Sequence, residues 1–189
     1  MAAPIATSQI LTWPNALTGI RALGIPLFIY LALGPEADGW AILVLAVGGA
    51  TDYFDGKLAR ALGQESRLGE ILDPTIDRLY IVATLIVLYM REAIPLWLIL
   101  TLVLRDVLLA GVALALAAKG KPPLKVTFVG KAATFNLLYA FPFLLLALSD
   151  SLLGEIAFIL GWAFAIWGVA LYVTTGVSYF LTALKTIRV

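Results

Sequence analysis

Neither cysteine nor histidine occurs in this chain of 189 residues. Without cysteine there is no disulfide, no thiol nucleophile and no cysteine-ligated metal. Without histidine there is no Ser-His-Asp triad, no imidazole ligand and no phosphohistidine intermediate. Charge is scarce as well: Asp, Glu, Lys and Arg make up 13% of the residues and the formal net charge is +1. That balance leaves neither the basic footprint of a nucleic-acid binder nor an acidic tail. The opening MAAPIATSQILTWPNALTG has no basic region and no clear cleavage site, so it does not read as a signal peptide. Chemistry in this chain has to run on carboxylates, hydroxyls, basic groups and bound metal.

Apolar residues fill the space that charge leaves. They make up 62% of the sequence, and the mean hydropathy is +1.00, values that belong to integral membrane proteins. A spanning helix takes about 20 mostly apolar residues, so the length admits roughly six spans and no second soluble domain. Apolar periodicity and the Gly/Pro breakers predict helices over about 15–33, 39–62, 69–90, 94–118, 126–148 and 153–184. The expectation is an all-α integral membrane protein with a six-helix transmembrane catalytic domain over residues 15–189. Residues 1–14 precede it as an interfacial segment, with a short helix over 5–13 and Trp13 at headgroup level. No internal repeat or low-complexity tract is visible.

The basic residues predict the orientation. Lys57, Arg60 and Arg67 surround the second link, Lys119, Lys121 and Lys125 the fourth, and Lys185 and Arg188 follow the last helix. The links on the opposite side hold Glu36 and Asp38, then Arg91 and Glu92, then Asp150 and Glu155. Eight basic residues against one place both termini on the cytosolic side of the cell inner membrane.

Against this background the stretch TDYFDGKLARALGQESRLGEILDPTIDR, residues 51–78, carries four aspartates on two helices. Asp52 and Asp55 are three apart, with Gly56 and Ala59 continuing their face; Asp73 and Asp77 are four apart, with Gly69 one turn earlier. Two antiparallel helices joined by a short turn would bring both pairs together near the cytosolic surface. Four carboxylates so placed repel one another and are costly to bury, and divalent cations would reverse that cost. All-oxygen ligation suits hard ions such as Mg²⁺ or Mn²⁺. The plainer alternative pairs the aspartates with Lys57, Arg60, Arg67 and Arg78 at the interface. The interleaved small residues favour the metal, because they leave room for something bulky against the backbone.

Read as Asp52, two residues, Asp55-Gly56, two residues, Ala59-Arg60, eight residues, Gly69, three residues, Asp73, three residues, Asp77, the stretch resembles the signature of the CDP-alcohol phosphotransferase (CDP-alcohol phosphatidyltransferase) family. Every signature position is matched. The resemblance implies a six-helix membrane enzyme, usually a homodimer, whose metal site opens to the cytosol. It implies that Asp52, Asp55, Asp73 and Asp77 bind two divalent ions, and that Gly56, Ala59, Arg60 and Gly69 lie at the cytidine nucleotide together with Asp52 and Asp55. The implied reaction is attack of an acceptor hydroxyl on the lipid-linked phosphate of a CDP-alcohol, with release of CMP. Asp77 is the implied general base, concerted with attack because an aspartate is too weak to deprotonate a free alcohol.

The remaining intramembrane charges are expected to report on the acceptor. Arg21, Arg105 and Lys131, with Lys125 beside them, are candidates for a basic pocket around an anionic headgroup. The alternatives are pairing of Arg105 with Asp106 and snorkelling of Lys131. WPNALTGIR, with Asn15, Thr18 and Arg21, resembles the opening of family members that use CDP-diacylglycerol with glycerol-based acceptors. Thr18 is thereby a candidate for positioning the nucleotide or acceptor. LRDVLL and PLKVTFVGKAAT look more like CDP-alcohol-type cardiolipin synthases than phosphatidylglycerophosphate synthases, which tend to have Arg-Glu and a second lysine there. The resemblance therefore implies phosphatidylglycerol as acceptor, with glycerol 3-phosphate as the alternative. The phospholipase-D-like cardiolipin synthases are excluded, since their chemistry needs histidine. Two other classes compete: a divalent-cation transporter with an intramembrane carboxylate site, and a scaffold without activity. The apolar runs AILVLAVGGA and IVATLIVLYM, which flank the aspartates, disfavour a conduit.

Overall fold

The computed structural model describes residues 13–62, 67–122, 124 and 127–188, apart from the side chains of 13–15, 52–62, 67–71, 74, 187 and 188. Six helices account for nearly all of it: α1 (Trp13–Leu33), α2 (Asp38–Leu62), α3 (Arg67–Met90), α4 (Leu96–Ala118), α5 (Phe128–Leu146) and α6 (Leu152–Arg188). There is no strand among the described residues. The six predicted helices are all present, with ends shifted by a few residues. α1 starts before Asn15, and α6 runs on past residue 184 for a total of 37 residues. At about 1.5 Å per residue α6 is about 56 Å long, well beyond a hydrocarbon core of about 30 Å. The proposed interfacial helix over 5–13 lies outside the described residues except for Trp13, which opens α1.

Among the described residues four helices, α1, α4, α5 and α6, are long and apolar enough to cross a membrane. In α2 the apolar part ends at Thr51, where the aspartates begin. The chain is an integral membrane protein, and its surface agrees. Ile20, Leu23, Leu27 and Tyr30 of α1, and Leu100, Leu104, Val107 and Leu108 of α4, are exposed. Apolar side chains turned outward over whole helices fit lipid as the solvent.

The helices fall into two compact units, α1–α3 and α4–α6. In the second unit α6 packs on α4 and, most extensively, on α5. Gly161 and Gly168, seven residues apart on α6, face Leu144 and Leu137, seven apart on α5. A Cβ at Gly161 would lie 3.0 Å from the Leu144 backbone nitrogen, so the two backbones nearly touch. Small residues at such crossings let dispersion hold helices together where lipid supplies no hydrophobic drive. Thr127 caps α5 by accepting from the Gly130 amide at 3.2 Å. Thr127 is tied in turn to α6, its amide donating to the Tyr179 hydroxyl at 2.8 Å.

In the first unit α1 packs on α2 and α3. α1 and α3 run in parallel register: Thr18 meets Asp73, Arg21 meets Asp77, and Gly24 meets Tyr80. The far end is clamped by Arg91, one residue past α3. Its guanidinium donates to the Ala32 carbonyl at 2.6 Å and grips Asp38 with both terminal nitrogens, at 3.0 and 3.3 Å. Glu36 adds a third carboxylate at 3.4 Å. One arginine thereby ties the end of α1, the start of α2 and the end of α3. The side chains of Arg91 and Asp38 are only 13% and 12% exposed, so the pair is largely desolvated. Removing one member strands the other, which costs about 3 kcal/mol in such settings. Arg91→Met is expected to destabilise the protein by about that amount in detergent, and Arg91→Met with Asp38→Asn to recover part of it. Thermal unfolding of both variants measures this, and an Arg91→Met protein as stable as the parent would refute the clamp.

Candidate active site

Position 51 is where apolar sequence on α2 gives way to charge, and the polar part of α3 begins at Arg67. α3 carries Asp73, Asp77 and Tyr80 on the side that meets α1, as spacings of four and three residues require. From α1, Thr18 and Arg21 reach the same place. The Thr18 hydroxyl donates to Asp73 Oδ1 at 2.9 Å. Arg21 Nη2 lies 3.7 Å from that same oxygen and 3.5 Å from Asp77 Oδ1. Thr18 and Arg21 are buried, whereas the Asp73 and Asp77 side chains are 38% and 49% exposed. The arrangement is a buried donor floor under two carboxylates that open outward.

Tyr80 sets the height of that floor. Its hydroxyl donates to the Arg21 carbonyl at 2.8 Å. Its ring end fits where Gly24 of α1 and Gly48 of α2 lack side chains: a Cβ at Gly24 would run into the Tyr80 hydroxyl, and one at Gly48 would lie 3.2 Å from it. Tyr80 is a site-building residue that sequence reasoning missed. Two mid-helix glycines, each costly to a helix, hinted at a bulky intruder without naming it.

The sequence-based candidates divide as follows. Asp73, Asp77, Thr18 and Arg21 come together in the first unit. The side chains of Asp52, Asp55, Gly56, Ala59, Arg60 and Gly69 lie outside those described, though all six positions are helical. Lys125 lies outside the described residues. Among the described side chains the arginine at Asp73 and Asp77 is Arg21 of α1; of the other partners considered, Arg78 is exposed, and the side chains of Lys57, Arg60 and Arg67 lie outside those described. Thr18, a candidate for the nucleotide or acceptor, spends its hydroxyl on Asp73. In the second unit Arg105 does pair with Asp106, at 3.0 Å. Its guanidinium carbon also lies 3.9 Å above the Tyr172 ring, whose hydroxyl donates to Asp106 at 2.6 Å. Gly176 leaves space for the arginine stem, as a Cβ there would be 3.0 Å from Arg105 Cγ. Arg105 Nε is buried and has no hydrogen-bond partner among the described residues. Lys131 is exposed in the first turn of α5.

Whether the site suits a divalent ion can be judged from Asp73 and Asp77. Both present an Oδ1 within 3.7 Å of one guanidinium nitrogen, so a positively charged atom already fits where they converge. The donors are all oxygen and half exposed, which suits a hard, partly hydrated ion. Among the described residues no group of three or more acidic side chains gathers. An ion held here would need further ligands, for which Asp52 and Asp55 are the candidates the sequence offers.

Residues 11–167 match the family model described as CDP-alcohol phosphatidyltransferase. A Streptomyces coelicolor protein named cardiolipin synthase (CMP-forming) is 49% identical, over 97% of this chain and 88% of that protein. A Mycobacterium bovis protein named putative cardiolipin synthase is 44% identical, over 98% of this chain and 89% of its own. A Mycobacterium tuberculosis protein named probable phosphatidylglycerophosphate synthase is 32% identical, over 95% of this chain and 85% of its own.

The Tyr80 slot is open to experiment. Gly24→Val is expected to displace the Tyr80 hydroxyl and cost about 1–3 kcal/mol, the usual range for overpacking. Gly49→Ala on α2, where nothing lies within 4 Å, should be neutral or stabilising by up to about 1 kcal/mol. Thermal unfolding of the two variants side by side decides it, and equal stability would mean that the slot contributes nothing.

Proposed function

This chain belongs to the CDP-alcohol phosphatidyltransferase family and is a membrane phosphatidyltransferase, and from that premise we propose that it joins CDP-diacylglycerol to phosphatidylglycerol, forming cardiolipin and CMP. The observation that carries the reading is the convergence of Asp73 and Asp77 on one cationic point above a buried donor floor. Asp52, Asp55, Asp73 and Asp77 would hold two divalent ions, Mg²⁺ or Mn²⁺. When bound, such ions neutralise a diphosphate and make CMP a better leaving group. Asp73, held by the Thr18 hydroxyl, keeps a fixed carboxylate orientation. Gly56, Ala59, Arg60 and Gly69 would border the cytidine. Asp77, exposed on one side, would accept the proton of the acceptor hydroxyl as its oxygen bonds to the lipid-linked phosphorus and the bond from phosphorus to CMP breaks.

The acceptor's anionic group would be met by basic side chains, the candidates being Arg21 in the first unit and Arg105, Lys131 and Lys125 in the second. At Arg105 the Nε–H is a buried donor left over after Asp106 and Tyr172 have engaged the guanidinium, which supports an anion there. The missing second lysine in GKAAT favours phosphatidylglycerol, with one phosphodiester charge, over glycerol 3-phosphate with close to two. Glycerol 3-phosphate remains the second reading, on the strength of the similarity to the Mycobacterium tuberculosis protein.

Incubation of the purified chain with CDP-diacylglycerol and either acceptor, with lipid products read by mass, tests the assignment. Cardiolipin and CMP are expected with phosphatidylglycerol; product from glycerol 3-phosphate alone would transfer the chain to the second reading. Asp77→Asn should lower CMP release by about 10²–10⁴ while the protein stays folded, and turnover in excess EDTA would rule out the metal. Arg105→Ala should raise the KM for the acceptor more than that for CDP-diacylglycerol, and an equal rise would make Arg105 structural.

We also place both termini and the site on the cytosolic side of the inner membrane and the chain in a homodimer, as the charge bias and the family imply. The absence of native cysteine makes this simple to test. A cysteine placed at Lys121 or Lys185 should react with an impermeant maleimide only from the cytosolic side, and labelling from the opposite side would invert the topology.

A further inference from the structure

Arg21 is unusual among the cations of this chain. Its side chain is 1% exposed, which for an arginine inside a membrane helix demands a specific anionic partner. The partners named by the geometry are the two α3 carboxylates, at 3.7 and 3.5 Å from one nitrogen. Those separations exceed the span of about 2.7–2.9 Å of a charge-assisted hydrogen bond. Toward Asp73 and Asp77, then, Arg21 acts as a charge placed between two others. Its own backbone is held from outside the carboxylates, by the Tyr80 hydroxyl on its carbonyl. Tyr80 is seated in turn at Gly24 and Gly48. The cation is thus anchored whether or not anything else occupies the site.

We propose that Arg21 is a tethered counter-cation of the motif carboxylates, which stabilises the protein without divalent ions and competes with those ions for Asp73 and Asp77. The inference rests on the metal reading given above and adds to it a residue that sets ion affinity. The physical reason is that a unit positive charge fixed within a few ångström of a divalent ion opposes its binding. The same charge relieves the repulsion between two carboxylates that face one another when no ion is there. A helix bundle carrying an acidic cluster in lipid needs that relief before the ions arrive. A site built this way stays folded while empty and binds its ions weakly enough for substrate phosphates to complete the coordination. An anionic phosphate that engages Arg21 would lift the competition, so that ion and substrate would load together.

The test is Mn²⁺ titration of the full-length protein in detergent, with free Mn²⁺ read by electron paramagnetic resonance and thermal unfolding followed with and without EDTA. Arg21→Ala is expected to bind Mn²⁺ about tenfold more tightly than the parent, the order expected for removing one nearby unit charge. It should also unfold at a lower temperature in EDTA and gain a larger thermal shift from Mn²⁺. Arg21→Lys, which keeps the charge, should keep the parent affinity. Should Arg21→Ala fail to fold, Arg21→Gln gives the same comparison with a polar side chain retained. Mn²⁺ bound by the parent, lost in Asp77→Asn, yet bound no more tightly by the neutral Arg21 variants would overturn the role of Arg21 and leave the metal reading standing. No Mn²⁺ binding to the parent would overturn both.

Discussion

The constraint on which the first unit depends is the pairing of acidic charge on α3 with a single buried arginine on α1. A carboxylate inside a helix bundle in lipid is tolerated only when partnered or turned toward water. Asp73 and Asp77 satisfy both conditions: each faces Arg21, and each remains a third to a half exposed. Most of what surrounds them follows from getting Arg21 to that height. Thr18 one turn earlier engages Asp73, Tyr80 pins the Arg21 carbonyl, and two glycines give the tyrosine its place. The parallel register of α1 and α3 is thus specified by polar contacts at one end and by Arg91 on the Ala32 carbonyl at the other. Phe28 and Ala32 on α1 and Val87 and Leu88 on α3 are fully buried, but apolar burial would not alone choose among registers, because lipid satisfies such side chains as well as protein does.

The second unit treats its intramembrane cation differently. Arg105 engages an acid on its own helix, Asp106, and an aromatic face on α6, Tyr172, while Gly176 admits its stem. Tyr172 does two things at once, offering its ring to the cation and its hydroxyl to the anion. The guanidinium plane is held from two directions, leaving Nε as the donor without an assignment. A guanidinium fixed in this manner loses little freedom on meeting an anion, which is how preorganised arginines recognise phosphates.

Much of this was legible before the structure. The spacing of four between Asp73 and Asp77 was enough to place those two on one face of a helix, and both lie on the side of α3 that meets α1. The number of helices followed from apolar run lengths and breakers. The contact of Asp73 and Asp77 with Arg21 did not. Arg21 lies 52 residues before Asp73, and distance in sequence says little about which helices become neighbours. Tyr80 was hidden for the same reason: Gly24 and Gly48 each signal a close approach, but the residue approaching belongs to a third helix. α3 ends at Met90 as predicted, whereas the starts of α4 and α5 moved by about two residues, to just after Pro95 and the Thr127 cap.

The distribution of polar groups along the first unit bears on what kind of membrane protein this is. An ion conduit needs polar atoms at successive depths, each available to the passing ion. Below Asp77, Arg78 is exposed, and the polar groups that follow, Tyr80 and Thr84, are used internally, Tyr80 on the Arg21 carbonyl and Thr84 on the Tyr80 carbonyl at 2.8 Å. Beyond them Leu85, Val87 and Leu88 are buried, and the helix ends at the Arg91 clamp. From Asp73 to Arg91 is about 27 Å along the helix, close to the thickness of a hydrocarbon core. Within the first unit, among the described residues, polar chemistry is therefore gathered at one end and a closed ion pair at the other, with apolar packing between. That asymmetry is of no use to a transporter. It suits a transferase whose lipid-linked donor lies in the membrane while the nucleotide it releases leaves into water.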